Sequence, residues 1–345
     1  MEKVKIAITG LGRSGWNIHA HLISQLPEKY EIIAVSDPDE NRRKQAEEKF
    51  DCKSYEKFED MLNNDEIEVV VVATPSHLHS SYSISALKKG KNVICEKPMA
   101  TNLEDADKMI EVAKKEGKIL TIFHNRRYSP DFLKVKEVID TGVLGRIVLI
   151  KMMWHSFARR WDWQTLKKYG GGTLNNTGPH PVDQALQFFG EKEDPEIFCH
   201  MERTLTLGDA EDHVKIIFKG KISPMIDLEI TSCCCYPEEP YLIMGTCGGL
   251  KGNYTKLLWK YFKVEKLPER KVQTQPTPDR SYNSEEIPWE KEEIWELPQN
   301  QHDYQLNFYI DLYETLKKNK PLKITPESAR RVMWAIEKCH KIAGI

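Results

Sequence analysis

The chain has 345 residues, with 50 Lys and Arg against 52 Asp and Glu, for a net charge of −2. That length suits roughly two domains, and so even a balance argues against a nucleic-acid partner, whose binders carry a basic excess to displace counterions. No apolar run approaches the roughly 20 residues of a membrane helix, which argues against a membrane partner.

Val4–Thr9 reads as a strand, followed by a glycine turn and a helix from Trp16 to Leu26. Glu31–Ser36 predicts a second strand and Asp39–Phe50 a second helix. Val69–Ala73 (Val-Val-Val-Val-Ala) lacks polar alternation, as expected of a strand covered on both faces in a parallel sheet. Tyr82–Lys89 continues as helix, Val93–Cys95 as strand, Leu103–Glu116 as helix and Ile119–Phe123 as strand. Such alternation predicts a right-handed parallel α/β sheet over residues 1–123.

The pattern changes in residues 124–345. Ser129-Pro130-Asp131 starts a helix, with Ser as cap and Pro in the first turn, and Gly142 is placed to end it. Arg146–His155, Val214–Phe218, Ile222–Thr231 and Tyr241–Gly245 read as strands, with one clear helix among them, Pro181–Phe189. Strands without intervening helices predict a mainly antiparallel open sheet in an α+β domain. Residues 264–300 are polar and proline-bearing, and read as a long irregular excursion with room for short edge strands. Two helices close the chain; the last starts at Thr325-Pro326-Glu327 and is free to pack back on the first domain.

Eight cysteines sit at irregular places, and three are consecutive, Cys233, Cys234 and Cys235. This suits reduced thiols in the cytoplasm better than a disulfide framework, and the triplet reads as apolar strand. No C-x-x-C pair points to zinc. Met1-Glu2-Lys3 leads straight into the first strand, so no signal-peptide core is expected.

Gly10-Leu11-Gly12-Arg13-Ser14-Gly15 fits G-x-G-x-x-G between a strand and a helix. Gly10 allows the tight turn, Gly12 lets backbone approach a pyrophosphate, and Gly15 lets helix and strand pack closely. The helix N-terminus, with Arg13 and Ser14, faces the phosphates. Asp37 ends the second strand, where a carboxylate accepts both ribose hydroxyls and repels a 2′-phosphate, favouring NAD over NADP. Arg42 and Arg43 lie just downstream and keep NADP open.

Two further segments carry a resemblance. One is Val93-Ile94-Cys95-Glu96-Lys97-Pro98; the other runs from Gly170-Gly171-Gly172 through Asn176-Thr177-Gly178-Pro179-His180 to Asp183. With the fingerprint, with Ala73-Thr74-Pro75-Ser76-His77-Leu78-His79 and with Asn125-Arg126-Arg127-Tyr128, they make the whole chain resemble the Gfo/Idh/MocA family of glucose–fructose oxidoreductase and the inositol dehydrogenases. The resemblance implies a Rossmann domain holding a nicotinamide cofactor. It also implies a second domain whose sheet mediates homodimers or homotetramers, and a sugar, cyclitol or other polyol as substrate. It carries the catalytic roles onto Lys97 and His180, and cofactor contacts onto Thr74, Pro75, His79, Glu96 and Lys97. The family usually has an aspartate four residues before the histidine; Asn176 stands there instead.

Oxidising a secondary alcohol requires a base for the hydroxyl proton and positive charge for the developing alkoxide. His180 suits the base. Lys97, at the carboxyl end of a parallel strand, suits the electrostatic partner and proton relay. Asn176 is expected to orient the imidazole through its side-chain carbonyl without a full charge, leaving His180 less basic than beside an aspartate. Arg160 and Trp163, within Arg159–Gln164, are candidate substrate contacts, as are Arg127 and Tyr128, Asn176 and His180. The same tryptophan-bearing stretch equally fits a core strand edge. The pairs His19/His21 and His77/His79 lack a third ligand, so surface or capping roles are expected and no metal. The expected activity is an NAD(P)-dependent dehydrogenase acting on a sugar, glycoside or cyclitol hydroxyl. Two rivals stand beside it: transient ring oxidation that supports glycoside cleavage with the cofactor recycled in place, and a non-catalytic nicotinamide sensor.

Overall fold

The structure is a computed structural model that describes residues 2–278, 280–299 and 303–344. Its first sheet holds β1 (Val4–Thr9), β2 (Tyr30–Ser36), β3 (Lys53–Tyr55), β4 (Val69–Val72), β5 (Asn92–Cys95) and β6 (Leu120–Ile122). All pairs are parallel, in the order β3-β2-β1-β4-β5-β6. The order reverses between β1 and β4, the switch point where such sheets bind ligands beyond their carboxyl ends. All four valines of β4 are buried, because helices cover both faces. The helices are α1 (His21–Ser24), α2 (Glu40–Phe50), α3 (Phe58–Leu62), α4 (His79–Lys88) and α5 (Leu103–Glu116). Beyond the first sheet come α6 (Pro130–Asp140), α7 (Thr173–Asn176), α8 (Pro179–Phe189), α9 (Leu306–Lys318) and α10 (Pro326–Ala343).

The helix expected from Trp16 begins one residue earlier and differently. Gly15–Ala20 forms a π turn, and only then does α1 follow. β3 and α3 are additions to the expected pattern; both are too short to show a periodicity.

The second sheet holds β7 (Ile147–His155), β8 (Glu196–Glu202), β9 (His213–Lys219), β10 (Met225–Thr231), β11 (Tyr241–Gly245), β12 (Gly248–Gly252), β13 (Lys256–Tyr261) and β14 (Glu293–Glu296). Their order is β14-β13-β12-β11-β7-β10-β9-β8. Every pair is antiparallel except β7 with β10, which makes the sheet mixed. β8, β12 and β13 were not among the expected strands; β12 carries three glycines and β8 alternates exposed and half-buried residues. The cysteine triplet does not alternate along a strand. It follows the end of β10, with Cys233 in one isolated bridge to Phe157. All eight cysteines are free.

Ile150, Ile216, Phe218 and Leu228 face inward onto α8 and α10. The opposite face of this sheet exposes Phe198, Met225 and Met244, beside a Lys215 ammonium bridging Asp227 and Glu229. The end of the chain returns to the first sheet. Phe308, Tyr309 and Leu312 of α9 pack with Ile6, Ile8 and Val71, while Ala329 and Met333 of α10 pack with Val70 and Val72. Burying each large side chain contributes about 2 kcal/mol, so the return firmly joins the two sheets and fixes the cleft between them. Among the described residues no helix is long and apolar enough to cross a membrane.

Candidate active site

A cleft of about 670 Å3 opens at the switch point and runs from Gly12 and Asp37 to Glu96, Lys97 and Asn176. Its floor is backbone that tolerates no side chain. Gly10 has φ +85, and a Cβ on Gly15 would lie 1.8 Å from the Gly10 carbonyl oxygen. A Cβ on Gly12, by contrast, would meet nothing within 4 Å, because that glycine borders open space. The Asp37 carboxylate accepts the Leu11 and Asp39 backbone N–H groups at 2.7 and 2.9 Å, and so ties the glycine turn to β2. Arg42 stands 3.6 Å from that carboxylate, whereas Arg43 donates to the Asp37 and Pro38 carbonyls. Arg13, Ser14, Thr74 and Pro75 also line the cleft, and the Thr74 hydroxyl is buried without a hydrogen-bond partner. A glycine cradle, an acid at the strand end and an orphaned hydroxyl fit a dinucleotide.

Two histidines brace this wall from behind, and neither has the surface or capping role expected of it. His79 is buried and sets its two ring nitrogens on the Pro98 and Thr74 carbonyls, at 2.7 and 2.9 Å. It thereby clamps the Thr74–Pro75 loop to the Glu-Lys-Pro turn. Burial lowers its pKa, against the pull of both carbonyls. His19, fully buried in the π turn, lies 3.2 Å from the Glu96 carboxylate through Nε2 and 2.6 Å from the Tyr309 hydroxyl through Nδ1. Burial would push the Glu96 carboxyl up. The hydrogen bond and charge of His19, then Lys97 and His79, hold it at about 2. Glu96 is therefore ionised and accepts from His19 Nε2, while Nδ1 and the Tyr309 hydroxyl share a second hydrogen bond. Nothing in the local pattern signals this pairing beyond a histidine just past the glycine motif. Among the described residues no group of three or more His, Cys, Asp or Glu could hold a metal ion.

Lys97 follows β5 and reaches across to the second domain. Its Nζ donates to the Asn176 backbone carbonyl at 2.8 Å. Burial lowers its pKa, partly offset by Glu96 and reinforced by Arg13. Asn176 thus serves through its main chain, and the expected side-chain contact with His180 is not formed: Nδ1 of His180 is buried and has no partner. The reason lies in α7, whose end turns the Asn176 carbonyl toward Lys97. Burial drives the His180 pKa well below the usual histidine value, with further lowering from Lys97, His124 and Arg126. A neutral imidazole at pH 7 is able to accept a proton.

The other expected substrate residues disperse. Arg127 forks onto the buried Asp183 carboxylate, with contacts of 2.5 to 3.1 Å. His124 lies 4.0 Å from the same carboxylate, and burial lowers its pKa to about 4. Tyr128 is buried in the first core against Asp311, away from the cleft. Arg160 forks onto Asp162 and donates to Gln164. Trp163, half-exposed, borders the cofactor cleft. A second cavity of about 280 Å3 adjoins that cleft, sharing Gln164, and is walled by Trp154, Thr177 and Tyr254. Trp154 carries the Arg126 guanidinium over its ring at 5.9 Å. Arg126, Trp154 and Tyr254 are not among the residues expected at the site.

With this geometry in hand, comparison with known proteins is decisive. Residues 4–124 match the oxidoreductase family with an NAD-binding Rossmann fold, and residues 132–251 match the GFO/IDH/MocA C-terminal domain. The chain belongs to the Gfo/Idh/MocA family. Among its curated relatives, the 2,7-anhydro-N-acetylneuraminate hydratase of Mediterraneibacter gnavus is 30% identical over 270 residues, 73% of this chain and 67% of that protein. The scyllo-inositol 2-dehydrogenase (NADP(+)) of Bacillus subtilis is 29% identical over 238 residues, 65% of this chain and 64% of that protein. An NAD-binding protein from Listeria innocua shares the fold, with a TM-score of 0.82 at 24% identity over 100% of this chain and 98% of that one. The glycine cradle lies at the start of the segment that matches the NAD-binding Rossmann fold of this oxidoreductase family.

Proposed function

We propose that this Gfo/Idh/MocA protein transfers a hydride between NAD(P) and a secondary hydroxyl of a sugar, glycoside or cyclitol. The observation that carries this reading is the 2.8 Å bond from Lys97 to the Asn176 carbonyl. It brings the Glu-Lys-Pro turn against the segment that bears His180. The nicotinamide of the bound cofactor supplies the hydride acceptor or donor. Gly10, Gly12, Gly15, Arg13 and Ser14 hold the pyrophosphate, and Asp37 takes the adenosine ribose hydroxyls. Asp37 favours NAD, while Arg42 offers a counter-charge for the phosphate of NADP. Glu96, fixed by His19, faces the cleft near the reacting end. Thr74 and Pro75, held by His79, form the opposite lip.

The neutral His180 accepts the proton of the substrate hydroxyl. The Lys97 ammonium donates to the same oxygen and stabilises the alkoxide as charge develops. The Asn176 carbonyl keeps the ammonium in place. The exposed apolar face around Phe198, Met225 and Met244 supports a homodimer or homotetramer through the second sheet.

A panel of inositols, hexoses, sugar acids and glycosides, read at the NADH absorbance with NAD and NADP in parallel, tests the reading. Turnover of at least one polyol is expected. Tight cofactor binding with no turnover across the panel would favour a sensor. One relative carries the name of a hydratase rather than a dehydrogenase, which supports a second reading in which oxidation is transient and the cofactor is recycled in place. Product release without net NADH would select it.

A further inference from the structure

Behind the cavity wall at Trp154, and near enough to His180 for its charge to act there, stands a guanidinium that forms no ion pair among the described residues. Arg127 is forked onto Asp183 and Arg160 onto Asp162. Among the described residues, Arg126 makes no ion pair and no side-chain hydrogen bond, and its ring contact is Trp154 at 5.9 Å. Its position is built rather than accidental. The Arg126 carbonyl accepts from Gln184 Nε2 at 3.0 Å and Ser129 Oγ at 2.9 Å, which anchors the turn that presents the side chain.

The nearby acids do not neutralise it. Asp131 feels the charge of Arg126 but forms no ion pair with it, and accepts from the Tyr241 hydroxyl at 2.9 Å. Glu211 accepts from the Leu174 N–H, and Asp212 from the N–H groups of Thr204, Leu205 and Thr206. Glu96 is held by His19. Position 176 offers a neutral amide. The reacting end therefore carries two cations, Lys97 and Arg126, and the second, half-buried, has no anion of its own. A desolvated guanidinium is costly when unpaired, and its fork matches a planar carboxylate. One unpaired unit charge suits a monoanion, and the aromatic wall of Trp154 and Tyr254 suits a ring.

We propose that the substrate is a sugar acid, whose carboxylate pairs with Arg126 while its ring lies along Trp154 and Tyr254 and its secondary hydroxyl meets Lys97 and His180. This rests on the oxidoreductase reading above. The test pairs each acid with its neutral counterpart: D-glucuronate with D-glucose, D-galacturonate with D-galactose, D-mannuronate with D-mannose. Each is assayed with NAD and NADP on the wild-type protein, Arg126→Gln and Arg126→Lys. An acid is expected to exceed its neutral partner at least roughly tenfold in kcat/KM. Arg126→Gln should raise KM for the acid roughly 50-fold, with a smaller change in kcat and a far smaller change for the neutral partner. Lysine should recover part of the loss, being a point charge rather than a fork.

Preference of the wild-type protein for the neutral sugars, or an equal loss on both classes in Arg126→Gln, would overturn the proposal while leaving the oxidoreductase reading intact. If nothing is turned over although NADH binds, that reading fails. Calorimetric titration of the NADH-loaded protein with the three acids then decides the proposal: Arg126-dependent binding upholds it, and absence of binding overturns it.

Discussion

On the wall of the site built by the first domain, polar side chains end on the protein itself, with the Thr74 hydroxyl as the exception. Asp37 holds the Leu11 N–H, His79 holds two carbonyls, and Glu96 is held by His19. On the opposite wall, beside the second sheet, groups are left open: among the described residues His180 Nδ1 has no hydrogen-bond partner and Arg126 forms no ion pair. The first wall shapes backbone around open space at Gly12, and the second leaves side chains unsatisfied near a cavity. On the function proposed above, the first wall would hold the cofactor and the second the substrate.

Gly12 and Gly15, three positions apart in sequence but different in role, break this comparison most forcefully. Gly15→Ala forces a Cβ to within 1.8 Å of the Gly10 carbonyl, so it is expected to destabilise the fold by about 3 kcal/mol and to abolish NADH binding. Gly12→Ala meets no protein atom within 4 Å. It should leave the melting temperature unchanged and weaken NADH binding alone. Thermal melts with and without NADH separate the two; equal melting temperatures would show that the cradle is not packed as described.

Next in size is His19→Ala. It strips the buried Glu96 carboxylate of its hydrogen-bond donor, which costs about 2 kcal/mol. The Glu96 carboxyl should rise from about 2. Urea unfolding gives the first quantity, and carboxyl NMR titration the second. An unmoved Glu96 would mean that the histidine is mere packing.

The glycine motif, the β5 turn and the His180 segment were legible because each is a local string with a local reason. The rest depended on orientation. Arg126 and Arg127 sit in one 3₁₀ turn, Asn125–Tyr128, where successive side chains point about 120° apart. Choosing between them requires knowing where Asp183 lies. The π turn at Gly15–Ala20 inserts an extra residue per turn and carries His19 inward, against any reading based on a regular helix. Asn176 is expected to orient His180 through its side chain, whereas its backbone carbonyl accepts from Lys97, since the direction of a backbone group at a helix end is not encoded in residue type.

The smallest expected effect sharpens the open wall. His180 is neutral because burial and nearby cations lower its pKa. The acid limb of kcat/KM, which reports a base that must be unprotonated, should therefore lie below pH 6.5. Asn176→Asp adds a negative charge near the imidazole and favours its protonated form, so the limb should move up by about one unit. A downward shift would place position 176 out of electrostatic reach of the base.

The central claim is that Lys97 and His180 act on one hydroxyl. A double-mutant cycle in kcat/KM tests it most directly, using Lys97→Ala, His180→Ala and the combined variant on a substrate identified by the panel. Each single change should lower kcat/KM roughly 10³-fold. The double variant should be little worse than either single one, since two groups serving one proton and one alkoxide fail together. Losses that multiply, to roughly 10⁶-fold, would show two groups working independently and contradict the shared hydroxyl.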